Sequence, residues 1–180
     1  EGLGARLQRS VGAELAHQQI DVVTGAEIKR IDADAIGLDD GRTIASDFTV
    51  LATGAAAPAW LRDSGLALDA RGFLEVGATL QSTSHPEVFA AGDVATLSAS
   101  PRPKSGVYAV RAGPPLATNI ARMLAGQPPL DWHPHRHPLM LLACGRRHAI
   151  ASRGGWSLQG DWVWRWKDRI DRAFMRRFGG

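Results

Sequence analysis

The chain has 180 residues, of which 44% are hydrophobic and 22% charged, a balance typical of a globular protein with a buried core. No apolar stretch approaches the roughly 20 residues that a membrane-spanning helix needs. The single cysteine, Cys144, excludes an internal disulfide and a Cys-x-x-Cys motif, and fits a reducing cytoplasm. The net charge of +3 is uneven, because residues 151–180 hold seven Lys/Arg and three Asp/Glu. The chain starts with Glu1 and shows no signal-peptide pattern, so we expect a fragment or a processed chain.

The first part of the chain predicts one helix and then several short strands. Apolar residues four apart indicate a helix over residues 3–17, with a stripe formed by Leu3, Leu7, Val11 and Leu15. Within residues 20–54, Asp40-Gly41 is a strong signal for a tight turn between two strands. The segment DFTVLATG, Asp47–Gly54, is nearly all apolar after its aspartate. It predicts a strand that is buried on both faces and ends at its glycine.

The middle of the chain predicts a hairpin, a second buried strand and a long helix. The hairpin is expected around Ala70–Gly72, and the strand is HPEVFAAGD, His85–Asp93. The helix is GVYAVRAGPPLATNIARMLAG, Gly106–Gly126, and we expect it to be disturbed near Gly113–Pro115 and to stop at its last glycine. After Pro129, short apolar runs separated by glycine pairs predict a small antiparallel sheet, and a final helix follows. This order indicates α/β domain pieces followed by an α+β region.

The Gly92-Asp93 pair is the main candidate for binding chemistry. It follows a predicted buried strand, and in open parallel sheets ligands bind beyond the carboxyl ends of the strands. Glycine lets a ligand approach the backbone, and an ionised aspartate accepts strong hydrogen bonds from sugar-type hydroxyls. A helix that starts nearby adds free N–H groups and a partial positive charge, which suits a polyol next to a phosphate. The alternative is that Asp93 only caps a helix or turn, and the dipeptide alone leaves both open.

Two motifs in the order and spacing found here resemble a known family of flavoproteins. VLATGAAAPAWL resembles the Ala-Thr-Gly motif that closes the NAD(P)H-binding domain of pyridine nucleotide-disulphide oxidoreductases. TLQSTSHPEVFAAGDVAT resembles their late FAD-binding motif. KSGVYAVRAGPPLATNIARMLAGQ and the Trp-rich end are similar to the NADH dehydrogenase-like, quinone-reducing branch. They are still more similar to flavoprotein modules fused to selenide, water dikinase.

The resemblance implies an α/β fold made of the C-terminal halves of FAD- and NAD(P)-binding Rossmann-like domains plus a small α+β region. The NAD(P)H-binding part would span residues 1–57, the FAD-binding part residues 58–127, and the sheet and basic helix residues 128–180. The implied cofactors are FAD and NAD(P)H. No catalytic side chain is implied, since the cofactor carries the chemistry.

The resemblance also assigns cofactor-binding residues. Asp93 would hold the ribityl chain of FAD, with Gly92 giving access to the backbone, and the helix N-terminus would face the flavin pyrimidine edge. The complete implied set is Gly92, Asp93, Val94, Thr53, Gly54, Gly106, Val107 and Tyr108. Lys104 and Arg111 either assist near the flavin or are solvated surface residues, and the sequence leaves this open.

The chain departs from the family in one respect. Neither of the two G-x-G-x-x-G loops that hold the cofactor pyrophosphates is present; the glycines in EGLGARLQRSVG follow no strand and lack the spacing. Without such a loop the pyrophosphate has no helix N-terminus to bind. We therefore expect the chain alone to bind FAD poorly and to turn over no substrate, so that hydride transfer from NAD(P)H through flavin to a quinone or another acceptor belongs to a parent protein.

Two alternatives to this function stay open. One is a non-catalytic flavoprotein-like module fused to a selenophosphate-forming kinase domain. The other is a disulfide reductase, which would need a Cys-x-x-Cys motif outside this chain. The parent sequence on both sides of the chain would separate them, since upstream G-x-G-x-x-G loops favour the enzyme and a downstream kinase domain favours the fusion.

The basic C-terminal stretch, residues 161–178, predicts an amphipathic helix. One side carries Val163, Trp166, Ile170, Phe174 and Phe178, and another carries Arg165, Arg169, Arg172 and Arg176. This pattern fits contact with a membrane surface, which would place the protein in the cytoplasm or at the inner face of the cell membrane. Alternatively the aromatic side packs on the parent's own core or on a homodimer partner. Nucleic-acid binding is not expected, because no recognised fold accompanies the basic stretch.

Three histidines and the cysteine are the remaining candidates for chemistry. His133, His135 and His137 alternate, but the prolines between them favour a plain surface segment, and no metal site is predicted. Cys144 lies in the apolar run LMLLACG and is interpreted as a small core residue.

Overall fold

The computed structural model describes residues 4–178 and contains three helices and eight strands within them. Helix α1 spans Ala5–His17, α2 spans Gly106–Leu124 and α3 spans Asp161–Phe178. The strands are β1 Ile28–Ile31, β2 Ala35–Leu38, β3 Thr43–Ala45, β4 Leu74–Val76, β5 Ala95–Leu97, β6 Met140–Ala143, β7 Ala149–Arg153 and β8 Trp156–Gly160. They form three sheets in the orders β1-β2-β3, β4-β5 and β6-β7-β8. Short 3₁₀ turns cover Ala59–Asp63 and Gly92–Val94.

The described chain divides into two compact units. The first, the β4–β5 unit, comprises residues 54–141 and 151–155. The second, the α1–α3 unit, comprises residues 4–53, 142–150 and 156–178. The domain boundaries expected from the family resemblance, after residues 57 and 127, stay predictions.

The β4–β5 unit is built around a small apolar core. Strands β4 and β5 pair in parallel, with Glu75 opposite Thr96, and helix α2 contributes a buried alanine to the cluster. The fully packed members of this core are Leu61, Leu74, Val76, Leu80 and Ala112. The predicted hairpin is present, because Leu68 bridges Leu74 in antiparallel fashion across a turn in which Gly72 has φ +84°. This packing fixes the turn at Gly92–Val94 against α2.

Helix α2 confirms the predicted helix and differs in one detail. It runs without a break through Pro114 and Pro115, so the two prolines remove donors without ending the helix. The predicted stop is confirmed, since Gly126 has φ +67° and its N–H donates to the Met123 carbonyl at 3.0 Å.

Asn119 connects α2 to two other segments of the β4–β5 unit and was not singled out from the sequence. Its side chain is 1% exposed. Its Nδ2 donates to the carbonyls of Thr79 and Leu130, both at 2.8 Å, while its Oδ1 accepts from the Leu130 N–H at 2.8 Å. A buried amide is stable only when its donors and acceptor are all used, as they are here.

Two predicted strands are wrong. Asp47–Gly54 has no regular structure and its apolar side chains are exposed, Phe48 by 84%. His85–Asp93 has a single bridge, between Gln81 and Phe89, before the 3₁₀ turn. A strand needs a neighbour to take its backbone hydrogen bonds, and within residues 4–178 neither segment has a ladder partner of its own.

The α1–α3 unit confirms several local predictions. Helix α1 covers the predicted stripe except Leu3, which lies outside the described residues. Strands β1, β2 and β3 form an antiparallel meander, and the predicted turn at Asp40-Gly41 joins the last two, with Gly41 at φ +86°. Helix α3 has a fully buried Val163 and a stacked pair, Trp162 and Trp166, with ring centroids 6.5 Å apart. Among the described helices, none combines the length and apolarity needed to cross a bilayer.

Candidate functional site

The turn at Gly92–Val94 depends on the absence of a side chain at its first position. Gly92 has φ +76°, in the left-handed region that favours glycine. A Cβ built there would lie 3.5 Å from the Cβ of Ala109 on α2. The turn therefore approaches the helix closely, and the predicted residues Gly92, Asp93 and Val94 come directly before β5 instead of after a completed strand.

Asp93 lies beside a groove with its carboxylate unused. The side chain is exposed and borders a cavity of about 40 Å³ that Lys104, Ser105, Tyr108 and Trp132 also line. No residue in 4–178 forms a hydrogen bond or an ion pair with its carboxylate, and the 3₁₀ turn has no side-chain cap. The alternative that Asp93 serves as a cap is therefore wrong.

The first turn of α2 faces outward with uncapped donors. Ser105 precedes the helix in an extended conformation, and its side chain makes no capping hydrogen bond. The helix's first backbone bonds run from the N–H groups of Tyr108 and Ala109 to the Ser105 carbonyl, at 3.1 and 3.2 Å. Gly106 and Val107 thus occupy the position where helix N–H groups and the positive end of the dipole act on a ligand. Tyr108 lines the groove and its hydroxyl donates to the His135 carbonyl at 3.0 Å.

The structure brings only part of the predicted set together. Gly92, Asp93 and Tyr108 share one groove, while Gly106 and Val107 lie in the adjoining helical turn. Thr53 and Gly54 lie in the exposed segment without regular structure and fall in different units, so their role stays a prediction.

Lys104 is a groove residue whose surroundings were not foreseen from the sequence. Its Nζ donates to the carbonyl of Ala95 at 2.5 Å and to Oγ1 of Thr96 at 2.8 Å, and it lies 4.0 Å above the ring centroid of Phe73. Burial lowers the pKa of Lys104, and the nearby carboxylates of Asp69 and Asp93 oppose that change. Lys104 is therefore partly buried and held in place, whereas Arg111 is exposed on α2.

Asp69 holds in place the Thr96 hydroxyl that Lys104 contacts. Its Oδ2 accepts from the Thr96 hydroxyl at 2.8 Å, and its Oδ1 accepts from the N–H groups of Arg71 and Phe73 at 2.9 and 3.0 Å. Burial acts to raise the pKa of Asp69, but these hydrogen bonds and the charge of Lys104 outweigh it, so the pKa lies below its usual value.

The remaining sequence candidates lie elsewhere. His133, His135 and His137 are exposed, and among residues 4–178 no three His, Cys, Asp or Glu side chains are grouped so that they would hold a metal ion. Cys144 is half-buried; burial, followed by the charge of Glu14, raises the pKa of its thiol. A raised pKa makes the reactive thiolate scarce.

This geometry fits one part of a flavin dinucleotide. A free carboxylate accepts hydroxyl hydrogen bonds, and uncapped N–H groups near it suit a ring edge that becomes negative on reduction. A sugar-alcohol chain and such a ring edge would meet these groups in the groove, whereas the sequence of this chain contains no glycine-rich loop for a pyrophosphate. Fold and groove together define the class of α/β proteins that bind a nucleotide cofactor.

Comparison with known proteins identifies the family within that class. Residues 1–113 match the family model "Pyridine nucleotide-disulphide oxidoreductase". The chain belongs to the pyridine nucleotide-disulphide oxidoreductase family, whose members are oxidoreductases that use FAD and NAD(P)H. The predicted superfamily, the α/β fold class and the implied cofactors are thereby confirmed.

Two curated relatives and two solved structures show what the chain resembles. Apoptosis-inducing factor 3 of Mus musculus is 33% identical over 101 residues, which cover 53% of this chain and 16% of that protein. Type II NADH:quinone oxidoreductase Ndh of Mycobacterium tuberculosis is 28% identical over 143 residues, covering 75% and 30%. The chain therefore spans less than a third of either curated relative.

The structural likeness is more extensive and concerns the fold alone. The sulfide:quinone oxidoreductase of the hyperthermophilic bacterium Aquifex aeolicus superimposes with a TM-score of 0.79 at 18% identity, covering 98% of this chain and 46% of that one. An FAD-dependent pyridine nucleotide-disulphide oxidoreductase from Desulfovibrio vulgaris gives 0.67 at 24% identity, covering 85% and 39%.

Proposed function

We propose that this chain is part of an FAD-dependent NAD(P)H oxidoreductase and supplies the groove for the ribityl chain and ring edge of the flavin. Bound FAD supplies the redox chemistry, accepting a hydride from NAD(P)H and delivering electrons to an acceptor. The observation that carries the proposal is the unpaired Asp93 carboxylate beside the groove. We expect the isolated chain to bind FAD weakly and to be inactive.

Each residue of the groove has a defined task in this proposal. Asp93 accepts hydrogen bonds from the ribityl hydroxyls, and Gly92 keeps the turn close to α2. The N–H groups at Gly106 and Val107, with the helix dipole, stabilise negative charge on the ring edge, and Tyr108 lines the wall. Val94, Thr53 and Gly54 complete the proposed set of cofactor contacts.

A substitution at Asp93 tests the proposal in the full-length parent protein. The parent should be yellow, with a flavin absorbance that NADH bleaches. We expect Asp93→Asn to weaken FAD binding about tenfold or more, because hydrogen bonds to a charged group contribute about 1.5–3 kcal/mol. The measurement is FAD stoichiometry and Kd by flavin absorbance and fluorescence.

The matched control is Glu87→Gln, which removes an exposed carboxylate six residues earlier in the same segment. This variant should keep the parental FAD affinity. A parent that stays colourless with added FAD, or an Asp93→Asn variant that binds FAD as tightly as the parent, would contradict the proposal.

Quinone is the acceptor that we propose. Support comes from the mycobacterial relative and the Aquifex structure, which are named as quinone oxidoreductases. A disulfide acceptor is the alternative and requires a Cys-x-x-Cys motif in the parent. The fusion to a selenophosphate-forming kinase domain is an alternative that the resemblance of the Trp-rich end supports. Parent sequences on both sides of this chain decide between the three.

We also propose that α3 meets a membrane surface, so that the parent is peripheral at the inner face of the cell membrane. Exposed apolar side chains on this helix support the proposal: Trp162, Ile170, Phe174 and Met175. Exposed Arg165, Arg169 and Arg176 would face anionic headgroups. Packing on another copy of the parent is the alternative.

A further inference from the structure

Asp93 and Lys104 line the same groove without pairing. A lysine ammonium beside a free carboxylate ordinarily forms an ion pair, yet none joins them within residues 4–178. The ammonium is engaged by other groups of the β4–β5 unit. Two of its three N–H donors go to the Ala95 carbonyl and the Thr96 hydroxyl, and the Phe73 ring attracts the charge.

The hydrogen bond that the Thr96 hydroxyl donates decides whether Lys104 keeps these contacts. A hydroxyl has one hydrogen and two lone pairs. Thr96 gives its hydrogen to Asp69 Oδ2, so that its lone pairs are available to the Lys104 ammonium. Asp69 in turn is fixed by the N–H groups of Arg71 and Phe73 in the hairpin turn. A chain of hydrogen bonds thus runs from Lys104 through Thr96 to the hairpin.

We propose that Asp69 and Thr96 are positioning residues: their relay holds the Lys104 ammonium away from Asp93, so that the Asp93 carboxylate stays free to accept the hydroxyl groups of a polyol cofactor. This inference rests on the proposed function of the groove. It assigns tasks to Asp69 and Thr96, neither of which needs to touch the cofactor. It also explains why a cation can border the groove without occupying its acceptor.

The test is a double-mutant cycle in the full-length protein with FAD as the probe. Thr96→Val removes the hydroxyl at nearly constant shape and releases the Lys104 ammonium to pair with Asp93. FAD then competes with that pair, and we expect its Kd to rise about three- to fivefold, as for an exposed ion pair worth up to about 1 kcal/mol. In a Lys104→Met background the ammonium that Thr96→Val would release is absent, so adding Thr96→Val should change the Kd less than about 1.5-fold.

A second readout needs no flavin. Lys104 should react faster with an amine-acylating reagent, by about threefold, when Thr96→Val is added to an Asp93→Asn apoprotein, because neither the relay nor the Asp93 carboxylate then holds its ammonium. The exposed Lys29 is the internal reference by mass spectrometry. Thr79→Val is the matched control, because its hydroxyl donates to Gln81 at 2.9 Å and does not contact Lys104. Asp69→Asn is the second release variant and should reproduce both effects if Thr96→Val folds poorly.

The outcomes separate the two proposals. An equal loss of FAD affinity from Thr96→Val in both backgrounds would show a merely structural role and overturn the inference. So would unchanged acylation of Lys104 in both release variants. If no form of the protein binds FAD, the proposed function fails, and the acylation rates still decide whether the relay holds Lys104.

Discussion

At Gly92 a left-handed backbone conformation shapes the turn that borders the groove. The residue has φ +76°, and a Cβ added to it would lie 3.5 Å from the Cβ of Ala109. That distance is ordinary van der Waals spacing, so the backbone conformation and not a clash limits substitution. Asp93, whose carboxylate borders the groove, is the next residue in the chain, so a change in the turn at Gly92 would move that carboxylate.

We expect Gly92→Ala to lower the free energy of unfolding by about 1–2 kcal/mol, the strain of a left-handed residue with a Cβ. The measurement is urea denaturation followed by tryptophan fluorescence. Gly12→Ala is the matched control, because Gly12 lies in α1 with open space around it. Alanine should stabilise that helix by about 0.5–1 kcal/mol. Equal stability of Gly92→Ala and the parent would contradict the assigned backbone strain.

Asp69 gives a prediction that depends on pH. Its folded-state pKa lies below the ordinary value of 3.8, so its ionised form stabilises the fold above that value. Asp69→Asn should therefore lower the melting temperature at pH 7. The difference from the parent should shrink as the pH falls below about 4 and the native carboxylate takes up a proton. A difference that is the same at pH 7 and pH 3 would show that the charge of Asp69 contributes nothing.

At the scale of elements, helix α3 is buried near its start and exposed near its end. Val163 is fully buried near its start, whereas Met175 near its end is 64% exposed. Two ion pairs along the helix, Lys167 with Asp171 and Arg172 with Asp168, use part of its charge. Arg169 and Arg176 are exposed between and beyond them.

A vesicle experiment tests the proposed membrane contact. Arg169→Glu combined with Arg176→Glu should reduce co-sedimentation of the protein with anionic vesicles at least about tenfold, since each cation near an anionic surface contributes about 1 kcal/mol. The matched control, Arg6→Glu with Arg62→Glu, makes the same charge change at exposed positions outside α3 and should pellet like the parent. Equal pelleting of both double variants would reject α3 as the contact.

For the whole molecule, local signals were predictable and long-range pairing was not. The Asp40-Gly41 turn, the end of α2 shortly before Gly126 and the amphipathic α3 follow from residues close together in sequence. The strand predicted at Asp47–Gly54 failed because apolar content indicates burial without identifying a ladder partner.

In the candidate site too, the residues that carry local motifs were predictable and the long-range contacts were not. The Gly92-Asp93 pair and the start of α2 carry motifs, and both were found from the sequence. The relay was not, because Asp69 and Thr96 are 27 residues apart and Thr96 and Lys104 are eight apart, with no motif linking them. The hairpin bridge between Leu68 and Leu74 and the parallel pairing of β4 with β5 bring Asp69 to Thr96.

The hydrogen bonds of the Asn119 side chain have a consequence for how the β4–β5 unit opens. The Leu130 N–H is held by a side chain on a helix, outside any sheet ladder, so fraying of a neighbouring strand end does not release it. That single proton should exchange with deuterated solvent only when α2 separates from its surroundings. The exchange rate of this one N–H therefore measures how often the fold that carries the groove opens cooperatively.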